Sequence, residues 1–271
     1  MKVHQQSAFV LLNRPYSESS WIVEVFTREY GRLALMAKGA RRIKSKLKGV
    51  LLPFQPLLIS WSGKGELPIL TSAEINLDGF NLLDNELLAE NLVCGFYCNE
   101  LVVNLLHRHD PHPLLFDEYI SCIIALSSSK NGETAKVLRD FEQIIVRESG
   151  YGISFDTEAD GVTPIQDELM YRFQSNQGFV VCSNQNYNAV SGRIIRSLAT
   201  SSVENIDIKK NFEPNNNSLN VSRNLGSDTV LTAQEVAQSK RLMREILRDN
   251  LGYKKIVSRE LFFPRQRVAN Q

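Results

Sequence analysis

The sequence predicts an α+β chain in which an N-terminal β-barrel is followed by a mainly α-helical domain. Three observations carry this expectation. Apolar residues alternate with period two over roughly the first eighty positions, a connection rich in cations interrupts that alternation, and from about residue 82 the apolar spacing becomes helical. The boundary is therefore drawn at residue 80, giving a barrel domain over 1–80 and a helical domain over 81–271.

Ala8 to Asn13 reads as the first strand. In Ser20–Thr27, Trp21, Val23 and Val25 fall on one face, and Ile22 and Phe26 make the other face partly apolar, so that face is expected to be partly covered. Arg28-Glu29-Tyr30-Gly31 is a turn, with Gly31 suited to positive φ, and Arg32–Ala37 is the third strand. Pro53 and Pro56 bracket the entry to the fourth strand, where Leu57, Ile59 and Trp61 share a face. Ser62-Gly63-Lys64-Gly65 turns into a fifth strand over Glu66–Glu74, which Pro68 confines to an edge or makes start late. Five strands with one long connection make a small Greek-key barrel of the OB type.

Leu87, Leu88, Leu92, Val93, Phe96, Leu101, Val102 and Leu105 form a long apolar helix. Asp110-Pro111 reads as the N-cap and first residue of the next, through Leu114, Phe116, Tyr119, Ile123 and Ile124. Val137, Phe141, Ile144 and Ile145 line a third helix, stopped by Gly150. Residues 151–188 read as irregular with a short strand at Gly178–Cys182, and Ser191–Ala199 as a short helix. The Asn- and Ser-rich stretch 205–230 reads as a mobile surface loop. A capping box, Thr232-x-x-Glu235, opens a last helix that ends near Asn250, before Gly252.

Composition is that of a soluble globular protein: 271 residues, 43% hydrophobic and 23% charged. The net charge of +1 conceals a polarity, with net +5 over 1–80, −10 over 81–238 and +6 over 239–271. Two basic ends flank an acidic middle. The opening residues lack the order of a signal peptide, no apolar run reaches membrane-spanning length, and the four cysteines are sparse. These features predict a reduced, cytoplasmic protein.

The basic connection reads Lys38-Gly-Ala-Arg41-Arg42-Ile-Lys44-Ser-Lys46-Leu-Lys48, with no acid within it. Cations presented between strands suit a phosphate backbone, whose condensed counterions they replace. Arg241, Arg244 and Arg248 recur at helical spacing on the last helix, either as a solvated face or as a continuation of the basic surface. Trp21 and Trp61 lie among apolar residues and read as core, whereas Tyr16 and Tyr30, in or beside turns, are better placed to stack on bases. Enzymatic signals are weak. Gly63-Lys64-Gly65 lacks the P-loop register, no G-x-S-x-G elbow occurs, and the side chains of His107 and His109 diverge. Cys94 and Cys98 read as small core residues. No cofactor or metal is expected.

Several blocks, in order, resemble the bacterial recombination mediator RecO family. They are Arg14-Pro15-Tyr16-Ser17-Glu18-Ser19, Val25-Phe26-Thr27-Arg28-Glu29, Gly31-Arg32, Ala37-Lys38-Gly39-Ala40-Arg41, Lys48-Gly49 and Pro53-Phe54-Gln55-Pro56-Leu57. They continue with Tyr97-x-Asn99-Glu100-Leu101, Leu138-Arg139-x-Phe141-Glu142, Gly150-Tyr151-Gly152, Leu251-Gly252 and Ser258-Arg259-Glu260-Leu261. The resemblance implies an OB-fold domain, a helical domain and a non-enzymatic, nucleoid-associated role in recombinational DNA repair. It implies binding and annealing of single- and double-stranded DNA, action on strands coated by single-strand-binding protein (SSB) through the SSB C-terminal tail, partnership with RecR, and help in loading RecA. The candidate DNA-binding residues are Arg14, Tyr16, Arg32, Lys38, Arg41, Arg42, Lys44, Lys46, Lys48, Arg241, Arg244 and Arg248. Lys136 and Arg139 are candidates for the SSB tail, against the alternative that Arg139 pairs within its own helix with Asp140, Glu142 or Glu133. Some relatives carry a four-cysteine zinc site after the Gly-Tyr-Gly block; here Ser154–Ser183 contains Cys182 alone, which excludes it. Two rival readings are a general RNA-binding OB protein and a nuclease using Asp156, Glu158 and Asp160.

Overall fold

The computed structural model describes residues 1–76, 87, 89–129, 134–150, 153–183, 188–199, 231–252 and 254–258. The Asn-rich stretch 205–230 lies outside them. The chain divides into two compact units: Met1–Thr134 with Ile208–Leu219 and Ile256–Gln271, and Ala135–Asp207 with Asn220–Lys255.

The first unit opens with a closed five-stranded barrel in the order β1-β2-β3-β5-β4. Its strands are β1 (Lys2–Pro15), β2 (Trp21–Thr27), β3 (Gly31–Ala37), β4 (Leu57–Ser62) and β5 (Ile69–Ile75). β1 is longer than the alternation suggested. Its first half pairs with β4 and its second half with β2, and register shifts between Val3 and Gln6 and between Val10 and Leu12 bend it to do both. Gln5 sits at φ 47 in the first shift and its N–H donates to Ser60 Oγ at 3.0 Å. β5 starts at Ile69, directly after Pro68, as expected of a residue that cannot donate to the ladder. Val10, Val23, Val25, Leu33, Leu35, Leu57, Ile59 and Trp61 fill the interior.

The connection after β3 contains a short helix, α1 (Leu47–Val50), that the sequence reading missed. Leu47, Val50 and Leu51 tuck toward the barrel core, and the charges between them masked their spacing.

Two helices follow in the same unit, α2 (Ala89–Leu105) and α3 (Pro113–Ser128). The strand-to-helix change drawn at residue 80 therefore lies inside the first compact unit. The reason is burial: Phe9 of β1 and Phe26 of β2 point outward and pack on Phe116 and Tyr119 of α3, with Phe9–Tyr119 and Phe26–Phe116 centroids 5.2 and 5.3 Å apart. Each such fully buried side chain contributes about 1.5–3 kcal/mol. Buried Asn99 of α2 donates to the Leu11 carbonyl at 3.0 Å and accepts from the Tyr119 hydroxyl at 2.6 Å. Its neighbour Glu100 accepts from the N–H groups of Val257 and Ser258 at 2.6 and 2.9 Å, and from the Ser258 hydroxyl at 2.6 Å.

One helix start is corrected. α3 begins at Pro113 with His112 at the cap, not at Asp110-Pro111. Asp110 is used elsewhere: its backbone lies so close to Gly31 that a Cβ there would come within 2.0 Å of the Asp110 carbonyl oxygen. Arg28, beside that turn, makes a two-pronged contact with Asp117 of α3 at 3.1 and 3.0 Å, which raises the guanidinium above its usual value. Cys98 and Cys122 are buried, with their sulfurs 3.6 Å apart between α2 and α3, in keeping with a core role.

The second unit contains α4 (Thr134–Glu148), a three-stranded sheet in the order β7-β6-β8, and the helices α5 (Gly192–Ala199) and α6 (Ala233–Asn250). The strands are β6 (Met170–Gln174), β7 (Gly178–Val181) and β8 (Val190–Ser191). β6 replaces the irregular structure expected there, and Tyr171 and Phe173 carry the alternation of a strand. Val137, Phe141, Ile144 and Ile145 are buried on α4, and the capping box of Thr232 and Glu235 opens α6 as expected.

Candidate nucleic-acid interface

Register gathers three connections at one end of the barrel. Trp21 pairs with both Pro15 and Ala37, so the loop between β1 and β2 meets the start of the basic connection. Met36 pairs with Ile69, and Ile69 with Ser62, which brings the β4–β5 hairpin to the same end.

The basic connection is a fixed structure here. Ala40 and Leu51 are buried at its two roots. The Arg41 N–H donates to the Ser19 carbonyl at 3.0 Å, and its guanidinium donates to the Ser17 carbonyl, binding the connection to the β1–β2 loop. Successive turns are closed by Arg42 N–H to Gly39 carbonyl at 3.1 Å and Ser45 N–H to Arg42 carbonyl at 3.0 Å. Lys38, Arg41, Arg42, Lys44, Lys46 and Lys48 are all exposed, and so is Tyr16 in the adjoining loop. Tyr30 is placed differently from the sequence expectation. It packs edge-on against Trp61, with centroids 5.1 Å apart, and belongs to the barrel wall rather than a stacking surface.

Beside this end lies a cluster the sequence did not reveal. Glu24, on the outward face of β2, is 1% exposed. Arg32 of β3 donates to it at 2.8 Å, Arg108 of the α2–α3 connection donates through two nitrogens at 2.8 and 3.1 Å, and Arg14 of β1 approaches at 3.7 Å. One carboxylate thus faces three guanidiniums, and the surplus is positive. Burial lowers Arg32 below the usual arginine value, with Glu24 pulling it back up. The hydrogen bond to Glu24 raises Arg108. Arg14 remains 59% exposed and Arg32 14%. Arg14 therefore has an open side toward solvent, while Arg32 serves mainly to hold Glu24.

The remaining candidates lie in the second unit. On α6, Arg244 and Arg248 are exposed and Arg241 is half-buried. On α4, Lys136 is exposed, whereas Arg139 is paired with Glu142, a carboxylate buried in the same helix. A cleft of about 290 Å³ lies farther along α4, lined by Ile144, Ile153, Phe155 and Leu198 with Gln143 and Arg147 among them. Gln143 and Arg147, four apart on one face of the helix, line that cleft together with Asp156, and Arg139 lies one turn before them, outside the lining.

Asp156, Glu158 and Asp160 do not converge. Asp160 accepts from the Thr163 hydroxyl and from the N–H groups of Val162 and Thr163, which together hold its carboxyl below the usual range. Glu158 accepts from the Tyr171 hydroxyl at 3.1 Å. The carboxylates of Asp160 and Glu158 and the backbone of Asp156, whose carbonyl accepts from the Ile165 N–H at 2.9 Å, fasten the 153–165 segment, and among the described residues no three metal-ligating side chains come together. Among the same residues, no helix is long and apolar enough to cross a membrane.

Comparison with known proteins identifies a family. The family model for the N-terminal part of recombination protein O matches residues 1–77, and the model for its C-terminal part matches 89–207. The chain is similar to the DNA repair protein RecO of Photobacterium profundum, at 34% identity over 97% of each chain. It is 42% identical to that of Aromatoleum aromaticum over 73% of this chain and 80% of the relative. It is 45% identical to that of Nitrosospira multiformis over 66% of this chain and 71% of the relative.

Proposed function

This chain belongs to the RecO family of DNA repair proteins, and we propose that it is a non-enzymatic recombination mediator whose barrel end holds the phosphate backbone. The observation that carries this reading is the basic connection, six exposed cations on turns fixed at both roots. A fixed cationic surface releases condensed counterions and lowers repulsion between two strands, while base edges stay free to pair. Annealing follows from that physics without a chemical step. Arg14 and Tyr16 extend the surface across the β1–β2 loop, Arg32 supports it through Glu24, and Arg241, Arg244 and Arg248 of α6 supply further phosphate contacts.

Replacing Arg41, Arg42, Lys44 and Lys46 together with Ala tests the reading. If all four contact phosphate, the slope of log K against log salt for single-stranded DNA falls in magnitude by about 3. The melting temperature stays near that of the wild type, because exposed charges carry little packing energy. An unchanged slope removes this connection from the DNA site.

Action in the cytoplasm on SSB-coated strands, with RecR and toward RecA loading, requires a second contact. The SSB tail is acidic and ends in apolar residues, so its site needs an apolar cleft beside cations. The apolar side chains of the cleft on α4, with Arg147 in its lining beside Asp156 and with Lys136 nearer the helix N-terminus, support placing the tail there. Lys136 and Arg147 are exposed enough to change without disturbing the core, whereas Arg139 neutralises buried Glu142. The double substitution Lys136→Glu and Arg147→Glu is expected to weaken a tail peptide about tenfold or more and to leave annealing of naked strands intact. Wild-type peptide affinity in that variant would move the site elsewhere.

A further inference from the structure

We propose that Ile43 is an apolar wedge that enters between neighbouring bases of a strand held by the basic connection. Ile43 is 96% exposed. It stands at the tip of a turn closed by the hydrogen bond from Ser45 N–H to the Arg42 carbonyl, with Lys44 as the other central residue. Within the basic run 38–48 the other apolar residues behave oppositely: Ala40 is buried and Leu47 packs on the barrel core. A core is therefore within reach of this segment, yet the turn holds Ile43 away from it. A single exposed aliphatic side chain is ordinary. What distinguishes this one is its setting on a fixed turn among four exposed cations, Arg41, Arg42, Lys44 and Lys46.

That setting selects the occupant. The cations demand anions on either side of an apolar surface, and a nucleic-acid strand offers this arrangement, with phosphates flanking the faces of its bases. Aliphatic side chains flanked by Arg and Lys are a known means of prying base steps apart. The phosphate contacts bring the strand to the turn, and Ile43 recovers the burial it lacks in the free protein. A strand held with one stacking step opened presents its bases to an incoming complement, so the wedge contributes to annealing as well as to affinity.

This inference rests on the reading of the connection as the DNA surface, and one experiment separates the two. Binding of a single-stranded oligonucleotide carrying 2-aminopurine within an adenine run is followed by fluorescence, which rises when stacking is broken. Wild-type protein and Ile43→Leu are expected to raise it. Ile43→Ser is expected to lose most of the rise and to bind about tenfold more weakly, with the salt slope unchanged because every cation remains. Wild-type fluorescence and affinity in Ile43→Ser would overturn the wedge while leaving the phosphate surface standing. Loss of SSB-tail peptide binding in Ile43→Ser, with DNA binding intact, would overturn it too. Failure of the underlying reading shows separately, as an unchanged salt slope in the four-alanine variant.

Discussion

Replacing Glu24 with Ala is expected to destabilise the protein by about 3 kcal/mol. The side chain makes close contacts with Arg32 and Arg108 and a longer one with Arg14, while being almost wholly shielded from water. Its removal leaves Arg32 partly buried beside two like charges with no counter-ion. Breaking a buried pair from one side costs roughly 3–5 kcal/mol, and the lower figure applies because Arg14 and Arg108 reach solvent. Urea unfolding measures the loss directly. Arg14→Ala serves as the control: it removes the longest contact from an exposed position and is expected to cost under about 1 kcal/mol. Equal losses in the two variants would mean that the cluster is not organised around Glu24.

Gly31→Ala is expected to cost a comparable amount, about 2–6 kcal/mol, by a different route. Gly31 has φ +64, a conformation that costs an L side chain about 1–3 kcal/mol. The added Cβ also meets the Asp110 carbonyl oxygen at 2.0 Å, a backbone atom that no side-chain rotation can move aside. Forcing the α2–α3 connection outward adds about 1–3 kcal/mol, and the sum lowers the melting temperature by roughly 10 °C. Gly49→Ala makes the contrast, since Gly49 lies in α1 with nothing within 4 Å of a Cβ and is expected to leave the melting temperature unchanged or slightly raised. Circular dichroism melts of the two variants decide the matter.

The barrel was legible because its signals are local. Val23 and Val25 alternate with outward residues within a single strand, and Pro68 acts on its immediate neighbour. The basic connection was legible as a run of charge. Its shape was not, because the turns depend on carbonyl partners and on Leu47 and Leu51 packing into a core built by distant strands. Glu24 reads as an ordinary solvent-facing residue of an alternating strand, since its partners stand 10 residues before it, 8 after it and 84 after it. Asp110-Pro111 carried the right chemistry for a helix start, but the tertiary contact with Gly31 took that stretch and the helix began at the next His-Pro. Tyr30 was misplaced for a related reason: its turn position suggested exposure, and only the closed barrel brings Trp61 beneath it. On α4, the spacing of Arg139 and Glu142 allowed the pair that forms, while the cleft near Arg147 depends on Phe155 and Leu198 arriving from later segments.

The hydrogen bonds from Val257 and Ser258 to Glu100 set a schedule for synthesis. Glu100 lies 157 residues ahead of the first of these partners. At 5–20 residues per second the ribosome needs about 8–30 s to cover that distance. For most of this interval the barrel, α2 and α3 have already been made, while the second unit is still being made between the two halves of the contact. The nascent first unit must therefore wait in an unfinished state, its carboxylate hydrated, until Val257 and Ser258 leave the tunnel. A chain released early, before Ser258, would leave that carboxylate without its closing partners, however complete its barrel.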